Sequence, residues 1–245
     1  MQTFLQRRRY GSNKRVGFTL IELGIVIAIT AILAALILPG LARAKERGRR
    51  TACKSDEHQI YLGCALYADD HEQYLPPAVD NHGYFSTMWL SDSTYETIVS
   101  YTGDRRILFC PNIIAGNEPL HDGNKGYLIG YNYLGNIDSS YASEKGVDVL
   151  ISPRKLTDAG TNYLLADANF WGGSDTLKLA PHTSSGGAMA NGSSFTRGLP
   201  GKSSADLGAV GGNVCTLDGA INWKQIGSMH TYHALGGDPR YFGNW

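Results

Sequence analysis

Hydrophobic and polar positions divide this chain sharply. From Phe18 to Leu38 it reads FTLIELGIVIAITAILAALIL, 21 residues whose polar members are Thr19, Glu22 and Thr30. At ~1.5 Å rise per residue a helix of that length spans roughly 31 Å, the thickness of a hydrocarbon core. Pro39 and Gly40 close the run. A proline inside a helix removes one hydrogen bond and crowds the preceding turn at a cost of about 3 kcal/mol, so the pair reads either as a stop at the membrane edge or as a hinge. Beyond it, from Ala42 to Tyr74, there is no proline and only Gly48 and Gly63. Cys53, Ile60, Cys64, Tyr67 and Tyr74 fall on one helical face, which Glu57 and His71 share. The pattern predicts a helix from Phe18 to about Tyr74, roughly 85 Å long, halted by Pro76-Pro77.

The remainder predicts short strands and loops. Ile107–Cys110, Tyr127–Tyr133 and Thr161–Ala166 are strand candidates, and Asn213–Leu217 and Ala220–Trp223 flank Asp218-Gly219, a hairpin signal. Between Gly172 and Gly208, 15 of 37 residues are Gly or Ser, which predicts a mobile loop. One long helix followed by strands argues an α+β fold, the helix packed on a small antiparallel β-sheet head with long Gly/Ser-rich loops.

Composition narrows the function. Lys+Arg and Asp+Glu are 22 each, so the chain is neither a globally basic nucleic-acid binder nor an acidic solvating one. At 42% apolar it can build a core. Four cysteines, none in C-x-x-C, argue against a disulfide-dense domain and against a Cys-rich zinc site. Arg7, Arg8, Arg9, Lys14 and Arg15 precede the apolar run, and Arg43, Lys45, Arg47, Arg49, Arg50 and Lys54 follow it. The later cluster reads as a solvated or headgroup-facing surface, with no nucleic acid as partner. A secretory signal cleaved near Ala42-Arg43-Ala44 is the simplest alternative, but its apolar region would be ~7–15 residues. A plain signal anchor leaves Glu22 unexplained, since a carboxylate in a spanning helix costs about 2.5–3.5 kcal/mol and calls for a partner.

Lys14-Arg15-Val16-Gly17 followed by Phe18-Thr19-Leu20-Ile21-Glu22-Leu23 closely resembles the processing signal of type IV prepilins and type II secretion pseudopilins. The resemblance implies cleavage between Gly17 and Phe18 by a prepilin peptidase/methyltransferase, with N-methylation of Phe18. It implies that Glu22 pairs with the new amino terminus of a neighbouring copy during filament assembly. Pro39-Gly40 stands where pilin helices commonly carry proline and tend to unwind. The implied organisation is a leader at 1–17, a transmembrane and filament-core helix at 18–38, an amphipathic continuation at 39–74 and an extracytoplasmic head at 75–245. The precursor would sit in the bacterial inner membrane with its head in the periplasm. Its partners would be the peptidase, other copies or related pseudopilins, and an inner-membrane assembly platform.

The head is similar to a narrower pilin-like subset, common in planctomycete and verrucomicrobial genomes, through Arg50-Thr-Ala-Cys53, Tyr67-Ala-Asp69-Asp70, Cys110-Pro111 and Asn213-Val…Asp218-Gly219. It departs from that subset at Asp56, where Asn is usual, and at Gly208, where many members carry His. Cys53 and Cys64 are ~16 Å apart along a helix and cannot pair with each other. Either could reach Cys110 or Cys215 in an extracytoplasmic head, or all four could stay reduced.

Catalytic signatures are missing from the sequence. No G-x-S-x-G, H-E-x-x-H or G-x-G-x-x-G occurs, and Gly198-Leu-Pro-Gly201-Lys202-Ser203 lacks the first glycine of a phosphate loop because Thr196 stands there. His230 and His233 read as surface residues, and no metal site or cofactor is expected. Calcium in the head is kept as an option, since Asp69, Asp70, Asp122, Asp138 and Asp218 supply oxygens, but without a defined loop spacing. The sequence therefore predicts a filament subunit that performs no catalysis. The competing reading is a membrane-tethered polysaccharide-binding module using Trp89, Tyr131, Tyr133, Trp171 and Trp223.

Overall fold

The computed structural model describes residues 17–113, 120–137, 148–172, 177–184, 186–191, 204–234, 236 and 241–245. The basic leader, the phosphate-loop lookalike around Lys202 and Asp138 lie outside these residues. The chain forms two compact units that divide between Ala42 and Arg43.

Helix α1 runs Leu20–Asp70 and carries Pro39 inside it. Thr19 starts it with a reciprocal cap. Its backbone N–H and hydroxyl donate to Glu22 Oε2 (2.9 and 2.8 Å) while its hydroxyl accepts from Glu22 N. Among the described residues this is the helix long and apolar enough to cross a membrane. Within the first unit its large apolar side chains, from Leu20 to Leu41, are exposed.

In the second unit α1 buries Glu46, Cys53, Glu57, Ile60, Gly63, Cys64 and Ala68. This is the expected stripe with three corrections. Tyr67 is only half-buried, and His71, which is exposed, and Tyr74 lie outside the helix. The helix stops at Asp70 rather than Tyr74, because Glu72 and Gln73 adopt left-handed backbone (φ 51° and 69°) before the two prolines are reached.

Among the described residues twelve short strands follow: β1 Trp89–Leu90, β2 Leu120–Asp122, β3 Gly126–Leu128, β4 Tyr131–Tyr133, β5 Tyr163–Asp167, β6 Phe170–Gly172, β7 Leu177–Thr183, β8 Gly186–Asn191, β9 Gly211–Thr216, β10 Ile221–Gln225, β11 Thr231–His233 and β12 Tyr241–Asn244. They make three antiparallel sheets, ordered β1-β3-β2, β10-β9-β5-β4 and β11-β12-β6-β7-β8. The Asp218-Gly219 hairpin forms as expected, with Ile221 opposite Cys215 and Gly219 at φ 82°.

Three expectations fail for physical reasons. Ile107–Cys110 is not a strand: Asp104 accepts from Arg106 N and nucleates a 3-10 helix over Arg105–Leu108. Tyr127–Tyr133 is two strands in different sheets, broken at Gly130, whose N–H donates to Leu108 O. A Cβ at Gly130 would sit 2.1 Å from Cys110 N. The Gly/Ser-rich stretch is not one loop, since it contains the β7–β8 hairpin.

A second helix, α2 (Asp92–Thr102), went unforeseen although its ends are marked. Ser91 caps its start by accepting from Thr94 N, and Gly103 in left-handed backbone (φ 76°) closes its end on Val99 O. It lies against α1 where Gly63 has no side chain, because a Cβ there would strike Thr102. One core then joins Ile60 and Cys64 of α1 to Tyr95 and Ile98 of α2 and to Leu128, Tyr133, Leu165 and Phe170 of the sheets.

Candidate functional site

Two places concentrate chemistry. The first is the amino-terminal end of α1. Gly17 and Phe18 precede the helix and are exposed, and nothing lies within 4 Å of a Cβ built on Gly17. Glu22, one turn in, is held by Thr19 as above. The Thr19-x-x-Glu22 spacing announces that cap in the sequence, where the prepilin resemblance drew attention to another partner for the same carboxylate. Pro39 and Gly40 lie within α1, which is continuous through both.

The second is a buried polar centre under α1. Cys53 on α1 and Cys110, just after the 3-10 helix, bring their sulfurs to 3.5 Å. His182 on β7 completes a trio whose donor atoms all lie within 4.8 Å of one another. His182 Nδ1 meets Glu46 Oε1 at 2.7 Å and its Nε2 faces Asp167 Oδ2, at the end of β5, at 3.2 Å. Glu46 is gripped by Arg50 Nε (3.1 Å) and by Asn112 Nδ2 (3.0 Å). Arg50 stacks over Trp223 at 4.1 Å, and Asn213 donates to both Asp167 Oδ2 and Arg50 O. Glu57, one turn along α1 from Cys53, is fully buried with both carboxylate oxygens unpartnered, and Asp167 Oδ1 and His182 Nε2 likewise lack a hydrogen-bond partner.

The electrostatics follow from this crowding. Contact with Cys110 and burial push the Cys53 thiol up. Burial, then the neighbouring Asp167 and Cys53, hold the Glu57 carboxyl well above the usual range. Burial opposes charge on His182, but Asp167 and Cys53 outweigh it and its pKa is pushed up to about 10. The sequence flagged Cys53, Cys110 and the misplaced Glu57. It could not flag His182 or Asp167, which lie 57 or more residues from either cysteine and fall in no motif with them.

The other cysteines stay apart from this centre. Cys64 faces Tyr133 Oη at 3.8 Å, Cys215 faces Thr216 O at 3.5 Å, and all four cysteines are free and buried. The candidate polysaccharide-binding aromatics are mostly core. Tyr131 and Tyr133 are fully buried, Trp89 and Trp171 nearly so, and Trp223 is occupied by Arg50. Of the aspartates proposed for calcium, Asp70, Asp122 and Asp218 each serve a turn or a contact. Asp70 accepts from Tyr101, Asp122 from Asn124 N and Asp218 from Thr216 and Ala220 N. His230 pairs with Asp148 (2.9 Å), while His233 is buried beside Phe242 rather than on the surface.

Asp56, where the resembling subset carries Asn, accepts from Tyr131 Oη at 3.4 Å. Burial, with Asp104 adding to it against the Tyr131 bond, pushes its pKa up to about 6. The folded state therefore binds more protons than the unfolded one between about pH 4 and 6, and stability falls as pH rises through that window. Asp56→Asn is expected to flatten this part of the profile and to raise the melting temperature at pH 7. Melting curves across pH 4–8 check it, and identical slopes in both proteins would contradict the assignment.

The chain is 43% identical over 70 residues to the type IV wide pilus major component PilA4 of Thermus thermophilus, a match covering 29% of this chain and 46% of that one. It is 34% identical over 67 residues to the type II secretion system core protein G of Pectobacterium carotovorum, covering 26% and 43% respectively. It thus spans less than half the length of either curated relative. No protein-family model and no solved structure matches it. Over these 67–70 residues the chain is similar to a pilus component and to a secretion-system core protein, its long apolar helix followed by antiparallel sheets is consistent with a pilin-like fold, and neither relative is named as an enzyme.

Proposed function

We propose that this protein is a pilin-like structural subunit, anchored in the inner membrane by α1, processed at Gly17–Phe18 and polymerised into an envelope filament of the type II secretion or type IV pilus kind. One observation carries the reading: a 51-residue helix whose first half is apolar on every side and exposed, beginning two residues after a bare Gly-Phe junction. A helix that is hydrophobic all round must be buried by something outside the monomer. Lipid covers it before assembly, and the same segments of neighbouring copies cover it afterwards. The partial homology to a pilus component and a secretion-system core protein supports the second cover.

In this account a prepilin peptidase removes residues 1–17 and methylates Phe18, and a membrane platform feeds the mature chain into the filament with its head in the periplasm. Pro39 has no N–H to return to the Ala35 carbonyl, so the Pro39-Gly40 step is where α1 yields when the subunit leaves the bilayer. The chain performs no catalysis of its own. A photocrosslinker at Ile29, installed in the protein in its own cells, tests the reading. A ladder of crosslinked copies is expected, and a monomer band alone would overturn polymerisation through this helix.

A further inference from the structure

The buried centre under α1 asks for a cation. Three side chains of soft or borderline character converge there from distant parts of the chain: Cys53, Cys110 and His182, donor atoms within 4.8 Å and all buried. The thiols alone would suit a disulfide, but the surroundings do not suit one. Glu57 and Asp167 are fully buried beside them, and three of their four carboxylate oxygens have no hydrogen-bond partner. Removing a carboxylate from water is costly unless a positive charge or donors replace the water. A disulfide is neutral and offers neither.

The histidine is also dressed as a metal ligand. Nδ1 is taken by Glu46 at 2.7 Å, which fixes the ring and turns Nε2 toward Asp167 Oδ2 at 3.2 Å. A carboxylate on the far ring nitrogen is the usual orienting partner of a histidine bound to zinc. Glu46 is itself held by Arg50 and Asn112, so a complete outer shell stands around an inner set of donors. The sulfur separation of 3.5 Å is close to the ~3.8 Å edge of a tetrahedron with Zn–S bonds of about 2.3 Å.

We propose that Cys53, Cys110, His182 and Asp167 form a structural zinc site that fastens α1 to two of the sheets. Two thiolates and an imidazole select a zinc-class divalent ion, whereas calcium would require six to eight oxygens. All four places are filled by protein, so the ion holds the fold and performs no chemistry. On binding, the two thiols release their protons. Cys53 is on α1, Cys110 follows the 3-10 helix, Asp167 ends β5 in the four-stranded sheet and His182 lies on β7 in the five-stranded sheet. The ion would therefore join four elements that share no local contact in sequence. The absence of C-x-x-C excludes only sites built from sequence neighbours, which this one is not.

The test uses the full chain, extracted in detergent from its own membranes without chelator, with metals counted by mass spectrometry. One zinc per chain is expected. Cys53→Ser, Cys110→Ser and His182→Ala should each lose it, while Cys64→Ser and Cys215→Ser, equally buried but outside the cluster, should keep it. Because the first three variants could unfold, wild-type protein is also stripped and reloaded with Co²⁺, which should give the visible absorption of tetrahedral thiolate coordination and restore the melting temperature. A Cys53–Cys110 disulfide in the native peptide map, metal-free reduced thiols that take up no Co²⁺, or zinc that persists in the Cys53 variant would each overturn the site. None of these outcomes bears on whether the chain assembles into filaments.

Discussion

Glu22→Val should leave the protein in the membrane and remove it from the filament. Valine makes the spanning segment more apolar, so insertion is unharmed. In the proposed filament the segment would be buried among copies of itself, and a carboxylate there is tolerated only with an ammonium beside it, which cleavage at Gly17 would supply at Phe18 of the neighbour. The crosslinked ladder from Ile29 should collapse to monomer, with unchanged amounts in the membrane fraction. The cap with Thr19 offers a rival explanation, because losing it costs about 0.5–2 kcal/mol. Glu22→Gln separates the two. Glutamine keeps the reciprocal cap but not the charge, so the pairing account predicts that Gln fails as Val does. A Gln variant that forms normal ladders would assign Glu22 to helix capping alone.

The largest effect on the head is expected from Trp245→Ala. Trp245 is fully buried, stacks on Tyr232 with ring centroids 4.8 Å apart, and packs with Leu134, Ala166 and Val214 on the face of the four-stranded sheet away from the main core. Its backbone is pinned as well, since its carbonyl accepts from His230 N at 3.0 Å. Truncating a buried Trp to Ala costs about 3–5 kcal/mol in transfer and cavity terms, which for a unit of this size lowers the melting temperature by roughly 10 °C. Trp245→Phe, which refills most of the space, should lose well under half as much. A shift within about 2 °C for the alanine variant would mean that the small second core does not hold the head together.

What the sequence announced and what it hid follow a physical line. The apolar run and the Asp218-Gly219 turn are local signals, complete within a few residues, and each took its expected form, while the equally local Thr19 and Glu22 cap went unforeseen. The ends of α2 were as plainly marked, by Ser91 and Gly103, and the signal was there to be read. Other features are decided by partners far along the chain. Gly130 breaks an apparent single strand because Cys110 occupies the space a side chain would need. The β7–β8 hairpin survives in a Gly/Ser-rich stretch because β6 and β12 already form a sheet on which it can add. Within that hairpin, a Cβ at Gly187 would lie 2.0 Å from Asn112 O, so the small residue marks close packing rather than a loop.

The buried centre is the extreme case of such long-range determination. Cys53 and Glu57 stand a turn apart on α1 and share its buried face, which a helical reading can see. Nothing in one chain's pattern states that Asp167 and His182 will meet them, since strand residues declare a face and not a partner. Glu57 on the apolar stripe looked like a flaw in the helix, and the structure makes it part of a polar centre instead.

The account turns on the chain being processed as a filament subunit, and the amino-terminal peptide of the protein taken from its own membranes tests this most directly. Mass spectrometry should find a mature chain that begins with N-methylated Phe18. A chain that still begins at Met1, or one that begins near Lys45 after signal-peptidase cleavage, would contradict the account, and α1 would then be an anchor or a discarded signal rather than the spine of a filament.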